Sequence, residues 1–521
     1  MKRWAPLTFL ILPLTTVSCV DSWARWAQDE PALQDTAESL PTPEIGAAFL
    51  AGYETDFEEA MRRFDVPGAA LAVVADDEIL YSRGFGHRDL RHGRPVTTET
   101  LFRIGSASRA LSVTMLGALV DEGRLDWDRS VQWQGRTLDG ELHDLLDQAD
   151  AAPRDDDFLA PFVLGGLPAE ALDPAQPSDR FAVTTFAGIR AAGDRRDPET
   201  AYRRLMHAEV FGPAGMARST VGGDLSTIGD DYARPYAVDL QGEVHELDTD
   251  ASQTYAPWLG IASTVIDMAH FAVLQINEGI APGMKRVISP ANLEHSRRAG
   301  ASRACREADA PATRAPAARA SDDPMPCRRE LGWTVQATAD GDELWILEGG
   351  SAGYSASVAF LARRGVGWVV LSNKDPRAGG AAFLAQASSA FVRRILDGSA
   401  AGSDDGEDGE SSAREDAYAL YLEEVRSLGR GAAAAPSPGA GLLGAYQGGW
   451  SLERRDGELM LSRRLASFPV SRAGDGLRIT GGPALGTWIH FPAVEADAAG
   501  PSLVFKSNHG KELARLRKLG S

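Results

Sequence analysis

The run from Leu111 to Val120 constrains this chain most, because it is apolar on nearly every side of a helix. A helix of that kind has to be wrapped by other elements. It follows directly on Leu101-Phe-Arg-Ile-Gly-Ser-Ala-Ser-Arg-Ala110 and stops at Asp121-Glu-Gly-Arg124, where Gly123 is a helix stop signal. This spacing predicts a buried helix with Ser106 in its first turn. There, free backbone N–H groups and the positive dipole end favour developing negative charge. Ser106 and Arg109 stand three apart and so share one face.

Around that helix the pattern is mixed. Helical periodicity runs from Ile45 to Phe64 through Phe49, Phe57 and Met61, and Val66-Pro67-Gly68 breaks it. Two β-rich runs, Ala69–Ala75 and Glu78–Phe85, are split by Asp76-Asp77. Three more, Glu343–Leu347, Tyr354–Ala362 and Val366–Ser372, read as a meander, with a helical stretch at Ala381–Leu396 after it. Strands at both ends and helices between predict one sheet closed by distant parts of the chain. Residues near 105–330 would form an inserted helical lobe, and the cleft between lobe and sheet is the natural site.

The ends differ from this region. Residues 1–18 combine Lys2 and Arg3, an apolar core and small residues before Cys19, which is the pattern of a secretory signal. Residues 19–44 are a polar tether, and residues 398–440 are rich in Gly, Ser, Asp, Glu and Ala, a solvated linker. From residue 441 to 521 short β-like runs recur, with turns at Asp456-Gly and Asp475-Gly, and predict a small β-barrel. Cys305 and Cys327 bracket an Ala/Arg/Pro-rich insert, and an oxidising compartment would let them pair. The net charge of −20 argues against nucleic acid and anionic lipid surfaces as partners. The histidines show no metal-ligand spacing, and His87 and His92 read as surface residues.

The layout around Ser106 resembles the Ser-x-x-Lys nucleophile motif of serine β-lactamases, penicillin-binding proteins and related esterases. The resemblance extends over residues 45–397. Val66-Pro-Gly-Ala-Ala-Leu-Ala-Val-Val74 is similar to that family's opening strand, and Phe211-Gly-Pro-Ala-Gly-Met216 to its Pro-Leu-Gly-Met turn. Gly260-Ile-Ala-Ser-Thr264 with Asp267 is similar to its Gly-Gly-x-x-Ser-Thr-x-x-Asp segment, and Gly349-Gly-Ser-Ala-Gly-Tyr354 to its sheet edge. The resemblance implies an α/β fold, an antiparallel sheet flanked by helices, with an inserted helical lobe. It also implies a serine hydrolase of β-lactamase, peptidase or esterase type that needs no cofactor or metal. Its ligand would be peptidoglycan-related or a small ester or peptide. Cys19 after Ser18 resembles a bacterial lipobox, which implies an exported protein held in the cell envelope by an N-terminal lipid. Leu443-Gly-Ala-Tyr446 resembles the opening of the lipocalin-like domain appended to such proteins.

The residues that handle protons depart from the family pattern. Lysine is replaced by Arg109 in a chain with only six lysines, none of them near Ser106. A guanidinium has a pKa above about 12, so its free base at pH 7 is rarer than about one in 10⁵ and cannot take the serine proton. The Tyr-x-Asn element falls on Val183 and Thr185, and valine has no proton to move. The cationic Lys-Thr-Gly or His-x-Gly element falls on Glu348-Gly349-Gly350. A carboxylate there would repel anionic ligands, pair with Arg109, turn to solvent, or serve as a substitute base for Ser106. Three readings follow: a family fold without acyl-transfer chemistry, a hydrolase with rewired acid–base groups, or an envelope module that binds peptidoglycan or protein.

Overall fold

The computed structural model describes residue 40, residues 44–149 except 76, 177–298 except 239–241 and 248–255, 303–304, and 327–397 except 339–340, together with short segments between 418 and 517. The leader, Cys19, most of the tether and most of the linker lie outside the described residues.

The chain enters through helix α1 (Ala47–Arg63), then the hairpin of β1 (Gly68–Ala75) and β2 (Glu78–Asp89). A buried helix α2 (Ser108–Asp121) begins the lobe, followed by the hairpin β3 (Ser130–Trp133) and β4 (Arg136–Glu141). Helices α3 (Pro177–Ala191) and α4 (Val265–Ile276) continue it. The chain returns through β5 (Thr334–Ala337), β6 (Glu343–Ser351), β7 (Tyr354–Leu361) and β8 (Val366–Ser372), and α5 (Ala381–Asp397) closes the unit.

One antiparallel sheet of nine strands holds β1, β2 and β5–β8, with β1 paired to β2 on one side and to β8 on the other. Arg94–Pro95 lies beyond β2, Arg303–Ala304 and Cys327–Arg329 lie beyond β5, and the β3–β4 hairpin is a separate two-stranded sheet. The register Ala69↔Ser372 joins the two ends of the domain, so the expected closure is realised. Every residue of β1 is buried, and alternate side chains go to opposite faces. Ala70, Ala72 and Val74 join a core with α2, α4 and the lobe. Ala69, Leu71 and Val73 join a second core with Phe49, Tyr53 and Phe57 of α1 and Phe383 and Phe391 of α5. A strand buried on both faces reads as a continuous apolar run, which is why this one was legible.

All residues of α2 from Ser108 to Leu119 are buried. Ser106 lies just before it, in a tight turn of Gly105–Ala107, rather than inside the first α-helical turn. Gly105 carries φ +55 there, a conformation favourable to glycine. Cys327 is disulfide-bonded and starts a short strand, Cys327–Arg329, whereas Cys305 lies outside the described residues.

Beyond residue 440, eight short strands run in sequence order as one antiparallel sheet. One of them, Ala466–Ala473, runs through a proline. Pro469 sits within it, opposite Met460, and a proline weakens any strand reading of a sequence. Among the described residues no helix is long and apolar enough to cross a membrane, and no cluster of three or more acidic, histidine or cysteine side chains is placed to hold a metal ion.

Candidate active site

The segment leading to Ser106 is fixed from both sides. Phe102–Arg103 pairs with Ile261–Ser263, with Ala262 opposite Arg103. The fully buried Arg103 guanidinium donates to the carbonyls of Gly260 at 3.3 Å and of Gly223. Thr264 then caps α4 by accepting from the Asp267 N–H at 3.1 Å. Asp267 accepts from the Ser219 hydroxyl at 2.8 Å and the Arg218 N–H at 2.9 Å. Burial pushes the Asp267 carboxyl pKa up, and these hydrogen bonds oppose the rise. The Gly-Ile-Ala-Ser-Thr segment is therefore a brace for the serine turn.

The Ser106 turn packs on β6 beyond the point where β5 stops pairing, since β5 matches β6 only from Glu343 to Ile346. Contact there is backbone to backbone. A Cβ on Gly105 would stand 2.2 Å from the Gly350 carbonyl oxygen, and one on Gly349 would stand 2.0 Å from that of Ile104. The Ser106 hydroxyl donates to the main-chain oxygen of Glu348 at 3.4 Å, a long bond.

The Glu348 side chain does not join this contact. Leu344 and Ile346 point into the core beneath α1 and α5, while Trp345 and Leu347 point into the lobe core. Alternation places Glu348 with the first pair and Gly349 on the side of Ser106. Of the readings the sequence left open for this carboxylate, turning to solvent is the one the strand register matches, on the face away from Ser106. Solvent reaches this side chain, yet the protein around it desolvates the carboxyl and pushes its pKa up, with Arg329 pulling it down. Gly350 also turns away, toward Pro376. On the face that meets Ser106, a cation-x-Gly spacing ends at Gly349 and begins at Leu347, which is fully buried. No cation stands there.

Arg109 is buried, with 6% of its surface exposed. Its guanidinium lies 5.0 Å from the Trp258 ring centre and 5.7 Å from that of Phe181. Each ring face attracts the cation. Neither aromatic was singled out from the sequence, because nothing local links positions 109, 181 and 258.

Val183 and Thr185 lie within helix α3, both fully buried. The Thr185 hydroxyl donates to the Phe181 carbonyl one turn back at 2.9 Å. Neither side chain offers a polar atom to Ser106. The Tyr202 hydroxyl meets that of Ser112 on α2 at 2.8 Å. Ser112 is six residues beyond Ser106, or about 9 Å along a helix. Complete burial raises the Tyr202 pKa, so this phenol stays protonated.

Comparison with known proteins bears on the fold that carries this site. The family model described as Beta-lactamase matches residues 54–390. The mitochondrial serine beta-lactamase-like protein LACTB of Mus musculus is 31% identical over 106 residues, covering 20% of this chain and 19% of that protein. Esterase EstB of Burkholderia gladioli is 32% identical over 125 residues, covering 22% and 31%. Penicillin-binding protein 4 of Amycolatopsis lactamdurans is 26% identical over 269 residues, covering 46% and 68%. The matched part of this chain thus spans about a fifth of the length of the first of these relatives. With the Ser106 turn, the closed sheet and a family match from residue 54 to 390, this chain belongs to the β-lactamase family.

Proposed function

We propose that this protein uses the β-lactamase scaffold to hold a small peptide- or ester-like ligand without turning it over. The observation that carries the reading is the lodging of Arg109 between Trp258 and Phe181. A permanent cation held by ring faces has no lone pair with which to take the Ser106 proton. The other two sources of proton transfer are also missing, because Val183 is aliphatic and Glu348 faces away. What remains is the edge of β6 that β5 leaves uncovered beyond Ile346, opposite the edge paired with β7, along which an extended backbone can hydrogen-bond.

Labelling with a fluorophosphonate and with a fluorescent penicillin tests this. The expected result is no adduct on Ser106 under conditions that saturate an active family member. Stoichiometric adduct, lost in Ser106→Ala, would support a rewired hydrolase instead. The same reading places the protein in the cell envelope, exported by residues 1–18 and lipidated on Cys19. Mass analysis of the mature N-terminus decides that point. The C-terminal sheet of eight strands would close as a lipocalin-like barrel, a closure that cross-links between its first and last strands would register.

A further inference from the structure

A cavity of about 650 Å³ opens at the far end of α3, between that helix and the β3–β4 hairpin. Phe181, which touches Arg109, lies nine residues before Arg190 on the same helix, or about 14 Å along its axis. The cavity is therefore separate from the Ser106 turn. Its volume suits a ligand of ordinary metabolite size.

The lining has two characters. Val131, Trp133, Ala187 and Pro198 are buried and give it an apolar floor. Trp133 stacks on Phe186 with ring centres 6.0 Å apart, so its position is fixed. Three arginines stand at the opening: Arg129, Arg190 and Arg195. No acidic residue lines the cavity. In a chain of net charge −20 this is a marked local reversal.

The neighbouring charges are already satisfied in a way that leaves these arginines available. Asp194 stands between them in sequence, but its side chain is only 1% exposed and turns inward to Arg196 and Arg204. Arg204 donates to it at 2.7 Å, and Arg196 at 3.1 Å. Arg129 donates to the Ala191 carbonyl at 3.4 Å, which answers the negative end of the α3 dipole. Among the described residues, no ion pair or side-chain hydrogen bond occupies Arg190 or Arg195. The Trp133 indole N–H is also buried without an acceptor. A buried donor left unmade costs about 1–3 kcal/mol, so a site that supplies an acceptor there gains from filling it.

We propose that this cavity binds an organic anion, with an aromatic or branched apolar body on Trp133 and a carboxylate, sulfonate or phosphate between Arg190 and Arg195. The apolar part is buried by the floor, and the anionic head takes charge-assisted hydrogen bonds at the rim. The inference does not depend on the state of Ser106.

The test is calorimetric titration of the full-length chain with naphthalene-2-carboxylate, the neutral 2-naphthalenemethanol and inorganic phosphate. We expect saturable binding of the carboxylate, with one site per chain. Both comparison compounds should bind at least about tenfold more weakly, since a hydrogen bond to a charged group is worth about one such factor or more. The double variant Arg190→Glu with Arg195→Glu should lose about tenfold or more. Both positions reach the surface, so the fold tolerates them, and circular dichroism confirms it. Trp133→Phe shrinks the apolar floor without touching the arginines, and should weaken the carboxylate and the alcohol alike. Equal binding of carboxylate and alcohol, phosphate binding as tightly as the carboxylate, an affinity indifferent to charge reversal, or no saturation at millimolar ligand would overturn the proposal.

Discussion

Replacing Arg109 by lysine tests the proposal that Ser106 lacks a base. The guanidinium sits 5.0 Å from Trp258 and 5.7 Å from Phe181, and an ammonium keeps the charge but not the planar stacking. That change costs about 1 kcal/mol, well within what a domain tolerates. The gain is in proton chemistry. Burial has lowered Lys374, the enclosed lysine of this same chain, from its ordinary value to about 8. A lysine at position 109 held at a similar value is about one-tenth free base at pH 7. Arginine supplies less than about one part in 10⁵. The base available to Ser106 therefore rises by about 10⁴, and a positioned base returns about 10²–10⁴ in rate. Fluorophosphonate is the right probe, because its fluoride leaves without a proton. We expect Arg109→Lys to label on Ser106 at least about 10²-fold faster than the natural chain. Penicillin should stay a poor reactant, since its leaving nitrogen needs an acid that Val183 cannot supply. The assay is time-resolved labelling read by intact mass, beside a thermal melt of each protein. The reasoning fails if the natural chain labels as fast as the lysine variant. It fails equally if the lysine variant melts normally and stays unlabelled.

Three further outcomes follow from packing and charge. Gly105→Ala places a Cβ 2.2 Å from the Gly350 oxygen at φ +55, and should cost about 2–4 kcal/mol in thermal or urea unfolding. An unchanged midpoint would mean the turn does not press on β6. Desolvation raises the Asp194 carboxyl, but hydrogen bonds from Arg204 and Arg196 outweigh it and hold the pKa below the usual carboxylate range. Its contribution is therefore full above the unfolded value, about 4, and is lost as pH falls through the lower folded value. Asp194→Asn should then cost about 2–3 kcal/mol at pH 7, with the gap to the natural chain narrowing below about pH 4 in urea titrations. A gap that widens in acid would reverse the assignment. Tyr202→Phe removes the 2.8 Å bond to Ser112 and should cost about 1–2 kcal/mol while leaving Ser106 labelling as it was. A change in labelling would bring Tyr202 into the chemistry.

What the sequence made legible and what it hid divide along a physical line. β1, α2 and the β6–β8 meander are read from local pattern, because each is buried along most of its length and bounded by Gly or Pro. The site is not local. Glu348 reads as a cleft residue until the register is known, since one position along a strand exchanges the two faces. β6 settles it by sending Leu347 and Gly349 to the serine side. Val183 and Thr185 read as a polar motif lost, and the helix gives the loss a structural meaning, because both now pack inside α3. Arg109 carries the same lesson further. From sequence it is a cation in the wrong place; in the fold it is held by Trp258 and by Phe181, which lies two residues before Val183 on the same helix. The helix that no longer offers a hydroxyl to Ser106 is thus the one whose ring grips the arginine. On the proposed reading the two departures meet on α3, so a lysine at position 109 would supply a base for Ser106 but no acid for a leaving nitrogen.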